Sequence, residues 1–304
     1  MSKIRNTILF VAILLSAACE RVVEFDADDI ERMVVVNGLP CTDSTLFVNI
    51  TYSRFFLDNQ AFVPVDNAIV TVDVNGTTIA SSTRDGANYY FNYTAAAGDT
   101  MTLSVSVPGH DEVRGGTRFP ALPCMTTPTA EIDSTLPITA GVVSFTLSDP
   151  SKMENYYNIY VMERDSGSQW NQWEARWDTI DTVIYSYFNC MNYEITSPEV
   201  NCTMGMVNYF NQLLFKDSLI DGKDYEITLS LIMLKDTAEH PLMRQYSLVV
   251  ESLTPEAYQY WKEVMNAHGI GQYFAEPSRL FSNLHGGLGI FAALSRRVWP
   301  LFVE

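Results

Sequence analysis

Cysteines, histidines and a late glycine run are the residues whose types could do covalent, metal or phosphate chemistry. The four histidines, His110, His240, His268 and His285, lie far apart and form no H-E-x-x-H or comparable ligand spacing. No serine stands in a G-x-S-x-G elbow. Gly286-Gly287-Leu288-Gly289 lacks the Lys and Ser/Thr of a phosphate loop and reads as a tight turn before a strand. Acidic side chains are abundant, yet no spacing singles out a general acid and base. No catalytic residue, metal ligand or cofactor is expected, and the chain reads as non-enzymatic.

Cys19 is the residue with a specific chemistry. Lys3 and Arg5 precede the apolar run Ile8 to Leu15, which is too short to span a bilayer as a mature helix. Ser16, Ala17 and Ala18 follow, so residues 1 to 18 read as a signal peptide. Leu15-Ser16-Ala17-Ala18-Cys19 resembles a lipobox, in which the thiol receives a diacylglyceryl group and becomes the new N-terminus. Each buried methylene contributes about 0.8 kcal/mol, so two or three acyl chains hold firmly to a membrane.

Export fits the other cysteines. Cys41, Cys124, Cys190 and Cys202 are even in number, which in an oxidising compartment suggests two disulfides with three possible connectivities. Cys41–Cys124 and Cys190–Cys202 are the favoured pairs. The first brackets an N-terminal domain, and the second closes a short loop worth roughly 3 kcal/mol on the chain-entropy model. The formal charge of −17 becomes −19 once Lys3 and Arg5 leave with the signal. Such a surface repels nucleic acid and anionic headgroups, so no nucleic-acid partner is expected.

The elements that must position any site are mostly strands. Residues 19 to 32, with Asp26-Ala27-Asp28-Asp29, read as an acidic tether. Met33-Val34-Val35-Val36 then ends at Asn37-Gly38. Val48, Ile50 and Tyr52 share one face of a strand; Val70, Val72 and Val74 share one face of another, closed by the hairpin signal Asn75-Gly76. Met101, Leu103, Val105 and Val107 repeat the pattern before Pro108-Gly109. Short strands at this spacing predict an antiparallel sandwich over residues 33 to 122. Pro120, Pro123 and Pro128 mark a linker, and residues 123 to 304 form a second β-rich domain. Its strands include Val142 to Leu147, Tyr156 to Met162, Tyr225 to Leu231 and Tyr246 to Val250. Thr254-Pro255-Glu256 opens a helix near 255 to 268, with Ala257, Trp261, Val264, Met265 and His268 on one face. The fold class is all-β: two immunoglobulin-like or transthyretin-like sandwiches with a short helix in the C-terminal half.

One aromatic segment could make a binding surface. Trp170, Trp173 and Trp177 stand at i, i+3 and i+7, just before Tyr185, Tyr187 and Phe188. On a helix the tryptophans would form one stripe, suited to anchoring a partner or to packing onto the sandwich; core packing is the favoured reading.

Several segments resemble a family of Bacteroidota lipoproteins known as domain of unknown function 4249. They are Met33-Val34-Val35-Val36-Asn37-Gly38, Pro64-Val65-Asp66-Asn67-Ala68-Ile69-Val70, Asn155-Tyr156-Tyr157, Leu219-Ile220-Asp221-Gly222, and Glu276-Pro277 followed by Ser282-Asn283-Leu284-His285-Gly286-Gly287-Leu288-Gly289-Ile290-Phe291. The resemblance implies a lipid-anchored outer-membrane protein beside a TonB-dependent transporter, as a non-enzymatic accessory or ligand-binding component; which face of the membrane it occupies is left open. A fimbrial or adhesive subunit is the alternative, with Val298 to Val303 as a strand to donate; a hydrolase comes third. Asp followed by Ser or Thr and then an apolar residue or Thr occurs seven times, centred on Ser44, Thr100, Ser134, Thr179, Thr182, Ser218 and Thr237. Ordinary composition gives roughly one or two. The triplet resembles the O-glycosylation site of Bacteroidota exported proteins, although Asp-Ser and Asp-Thr also form turns between strands.

Overall fold

The computed structural model describes residues 32–54, 61–133, 139–171, 176–186, 188–190, 211–233, 243–267 and 280–303. The fold is all-β. Strands β1 (Val34–Gly38), β2 (Thr45–Tyr52), β3 (Ile69–Val74), β4 (Thr77–Ala80), β5 (Thr83–Asp85), β6 (Asn88–Thr94), β7 (Thr100–Ser106) and β8 (Val113–Arg118) come first. Then follow β9 (Cys124–Met125), β10 (Thr129–Asp133), β11 (Thr139–Ser148), β12 (Tyr156–Asn171), β13 (Arg176–Tyr185), β14 (Phe188–Cys190), β15 (Gln212–Lys216), β16 (Asp224–Met233) and β17 (Met243–Leu253). Helix α1 (Pro255–Ala267), β18 (Leu288–Phe291) and β19 (Leu294–Val303) close the chain.

Two sheets face each other in the first sandwich, β18-β1-β2-β6-β5 and β4-β3-β7-β8. Alternation explains the register. Val70, Val72 and Val74 lie opposite Val105, Leu103 and Met101, and all six are buried. Burying each such side chain contributes about 1.5–3 kcal/mol. Asn75 and Gly76 both have positive φ, at 52° and 86°, as the tight β3–β4 hairpin requires.

The second sandwich stacks β10-β11-β16-β14, with β9 on β11, against β13-β12-β17-β19, with β15 on β12. Val143, Phe145, Ile227 and Leu229 from one sheet meet Ile159, Val161, Leu248 and Val250 from the other. Helix α1 begins where expected: the Ala257 amide donates to Thr254 Oγ1 at 3.3 Å, so the threonine caps it. Ala257, Trp261 and Met265 pack with Leu214, Leu253 and Ile290 in a third cluster. His268 lies outside the described residues.

The division at residue 122 needs correcting. β18 pairs in parallel with β1, and Leu284, Phe291 and Ala293 belong to the first sandwich's core. A parallel partner far along the chain leaves no local signal. Both sandwiches fall in one compact unit, Met33–Ser53 with Ala61–Glu304. Among the described residues no helix is long and apolar enough to cross a membrane.

Candidate functional site

At one end of the second sandwich three turns converge. β11 ends at Ser148, and Asp149-Pro150 stops the strand because proline cannot donate to the ladder. β15 runs into a 3-10 turn, Asp217–Leu219, and Asp221-Gly222 leads into β16. These turns bring one carboxylate oxygen each of Asp149, Asp217 and Asp221 within 4.8 Å of one another. Asp149 and Asp217 are buried; Asp221 is exposed.

Neutral donors hold the cluster. The Tyr157 hydroxyl donates to Asp149 Oδ1 at 2.7 Å, and the Gly222 amide donates to Asp149 Oδ2 at 3.1 Å. The Asn155 amide donates to Asp217 Oδ2 at 2.6 Å, and the Lys152 amide to Asp221 Oδ1 at 3.0 Å. Burial pushes the Asp149 carboxyl above the ordinary range, the charges of Asp217 and Asp221 add to that, and the bonds from Tyr157 and Gly222 pull against it. Burial, then the bond to Asp149, also raises the Tyr157 hydroxyl. A set of hard oxygen donors is what a cation such as calcium takes; among the described residues these three are the ones that could hold one. Sequence reading singled out none of the three as ligands. Asp221 and the donors Asn155 and Tyr157 fall in Leu219-Ile220-Asp221-Gly222 and Asn155-Tyr156-Tyr157, but neither segment has the spacing of a ligand set.

The aromatic segment is a β-hairpin, not a helix. β12 pairs with β13 from Met162↔Tyr185 to Asn171↔Arg176, which sets residues 170 and 177 opposite each other. On its other edge β12 pairs with β17 from Tyr156↔Leu253 to Ser166↔Met243, the first described residue of that strand. Among the described residues, 167–171 and 176–180 pair with each other alone, and this stretch of the ladder is called the arm. Helical spacing misleads here because i and i+7 also fit facing positions on two paired strands. At the base of the arm Val183, Ile184 and Tyr185 are exposed by 60%, 49% and 41%, so this part of β13 does not serve as core. Arg164 grips Asp181 through Nε and Nη2 at 2.8 and 2.9 Å. Nearby, Arg244 stands 3.5 Å from Glu163 and 3.4 Å from Asp165; burial, then the Asp165 charge, raises the Glu163 carboxyl. Trp173 and Tyr187 lie outside the described residues, as do the side chains of Trp170 and Trp177.

The expected Cys41–Cys124 disulfide is not formed; both are free thiols. Cys41 is buried and donates to Asp43 Oδ1 at 2.8 Å, and burial, then that bond, pushes its thiol up to about 12. Cys124 is exposed and pairs with Ser148 at the edge of a different sandwich. Bracketing a domain in sequence did not place the two together in space. Cys202 and the side chain of Cys190 lie outside the described residues, as does Cys19. Of the Asp-Ser/Thr positions, Ser44, Thr100, Thr179, Thr182 and Ser218 are all exposed; Ser134 and Thr237 lie outside the described residues.

The glycine run is a packing device. The His285 and Arg114 backbones exchange two hydrogen bonds of 2.9 Å, tying this segment to β8. Gly286 has φ +79°, and a Cβ there would stand 2.2 Å from Glu112 O. Gly289 has φ +109°, and its Cβ would stand 2.0 Å from Val36 O. Only glycine fits both positions.

A family model described as "Domain of unknown function (DUF4249)" matches residues 20–298 of this chain. No curated protein matches it. Among solved structures the chain is similar to one described as "Complete structure of manganese lipoxygenase of Gaeumannomyces graminis and partial structure of zonadhesin of Komagataella pastoris". The identity is 9%, the match covers 74% of this chain and 90% of that one, and the TM-score is 0.18, too low to bear on fold or function.

Proposed function

We propose that this chain, which belongs to the DUF4249 family, is a lipid-anchored outer-membrane protein of Bacteroidota that acts as a non-enzymatic accessory or ligand-binding component of a TonB-dependent transport system. The lipid sits on Cys19, and the acidic residues up to 32 form the tether. Tethering raises the effective concentration of the folded part at the membrane, so modest contacts with a barrel or its ligand suffice.

The observation that carries the reading is the β12–β13 ladder, which exposes Val183, Ile184 and Tyr185 at the base of the arm. Exposed aromatic and aliphatic side chains on a strand suit contact with a partner. Exposed Ser44, Thr100, Thr179, Thr182 and Ser218 are open to O-glycosylation on the same reading. The fimbrial alternative is less favoured, because the strand it would donate already pairs with β17 in its own sheet.

The test is a mild-detergent pull-down of the tagged lipoprotein from native membranes, followed by mass spectrometry. A TonB-dependent barrel in near-stoichiometric amount is the expected result. A ladder of self-assembled species without a barrel would move the fimbrial reading to first place.

A further inference from the structure

The last strand does not stay in one sandwich. β18 lies parallel to β1, from Val35↔Leu288 to Gly38↔Phe291. The pairing continues past the end of β1: the Ala292 amide donates to Gly38 O at 3.1 Å and the Leu294 amide to Pro40 O at 3.0 Å. From Leu294 the same run becomes β19 and pairs with β17 out to Gln245↔Val303. Residues 288–303 thus serve the sheets of both sandwiches, with only residues 292 and 293 between β18 and β19.

The crossing point is bonded on both sides. From the first sandwich's side, Thr117 Oγ1 accepts from the Ala293 amide at 2.8 Å, and Thr42 Oγ1 accepts from the Arg296 amide at 3.1 Å. The Ser295 hydroxyl donates to Pro120 O at 2.6 Å. From the second sandwich's side, Ala293 O accepts from the Thr254 amide at 3.2 Å. The Arg296 side chain reaches both ways, 2.9 Å from Glu251 on β17 and 3.6 Å from Asp43 beside β2. Glu251 is itself buried and accepts from Tyr160 at 2.8 Å and Asn158 at 2.9 Å. Ile290, Phe291, Ala292, Ala293 and Ser295 are fully buried. Domains joined by an exposed linker move relative to each other by default. A buried crossing strand with ladder bonds on both sides removes that freedom.

We infer that residues 288–303 are a strap that locks the two sandwiches into one body, which opens only as a whole. The first sandwich is accordingly not autonomous: it lacks an edge strand and three core side chains until the end of the chain arrives. The strap fixes the direction of the β12–β13 arm relative to the first sandwich, the half of the molecule that follows the N-terminal tether.

The protein carries its own reporters. Cys41 is buried under the strap, bridged to Leu294 in the same cluster that Trp261 packs against, whereas Trp299 packs on the second core. The experiment titrates the full-length chain with urea, follows tryptophan fluorescence, and measures alkylation of Cys41 and Cys124 by peptide mass spectrometry. Exposed Cys124 labels at once in the folded protein. Cys41 is expected to label only along the fluorescence transition, with coincident midpoints. Arg296→Gln is expected to lower both midpoints together. Cys41 labelling well below the fluorescence transition in the natural sequence would overturn the inference. So would an Arg296→Gln chain in which Cys41 protection is lost while the fluorescence midpoint stays put.

Discussion

Two turn regions of this molecule are built on opposite plans. The segment from Ser282 to Phe291 is contiguous and conspicuous, with three glycines in four residues. The cluster of Asp149, Asp217 and Asp221 is scattered over three turns, and none of its members stands out. The conspicuous one is backbone carpentry: Gly286 and Gly289 let the chain pass against the carbonyls of Glu112 and Val36. The inconspicuous one gathers charge. A close backbone approach needs particular residues at adjacent positions, so it leaves a motif; a side-chain cluster needs only the right endpoints, so it leaves none.

The comparison can be broken from the packing side first. Gly289→Ala puts a Cβ against Val36 O in a left-handed conformation. It should cost about 3 kcal/mol or more, read as a fall in the urea midpoint or as loss of soluble protein. A change below about 1 kcal/mol would mean that the parallel β1–β18 pairing is not as close as described.

Changes at the acidic cluster should be smaller and should include one of opposite sign. Tyr157→Phe removes a buried hydroxyl donor from Asp149 and should cost about 1–2 kcal/mol by thermal unfolding. Asp221→Asn keeps an oxygen for the Lys152 amide but removes one of the charges that push Asp149 up. It should stabilise the fold at neutral pH by about 0.5 kcal/mol, since the residue is exposed and screened.

The pH dependence sharpens the same point. Asp149 holds its proton to higher pH in the folded chain than in the unfolded one. The stability it contributes is therefore fully present below the ordinary Asp range and is lost as pH rises through its folded value. Asp99 in the first sandwich is shifted the other way: burial opposes its charge, but the Ala96 amide, Tyr93 and Asn75 outweigh that. Its contribution is present above the ordinary Asp range and is lost as pH falls. Asp149→Asn should remove the loss on rising pH, and Asp99→Asn the loss on acidification, each seen as a changed slope of the melting temperature against pH.

Much of the fold was legible where one face of a strand is buried and the other wet. Val70, Val72 and Val74 alternate with polar neighbours, Asn75-Gly76 closes the hairpin, and Thr254-Pro255 opens the helix. β12 was legible only in its first half, because Arg164, Asp165, Ser166, Gly167 and Ser168 carry no apolar period. They extend the strand past the core, where alternation has nothing to bury. β18 was illegible as a partner of β1, because the two are brought together by the crossover itself. The acidic cluster was hidden because Asp-Pro and Asp-Gly are ordinary turn chemistry wherever strands end. The thiols were misread for a related reason: cysteine number gives parity, not position.

The measurement that bears most directly on the proposed role is site-specific photo-crosslinking in native membranes. A photoreactive residue replaces Val183 at the base of the arm, and in a control it replaces Ile69 on the first sandwich, which is 70% exposed. The account predicts a discrete adduct of outer-membrane barrel size from position 183 and none from position 69. No adduct from 183, or the same adduct from both positions, would contradict it.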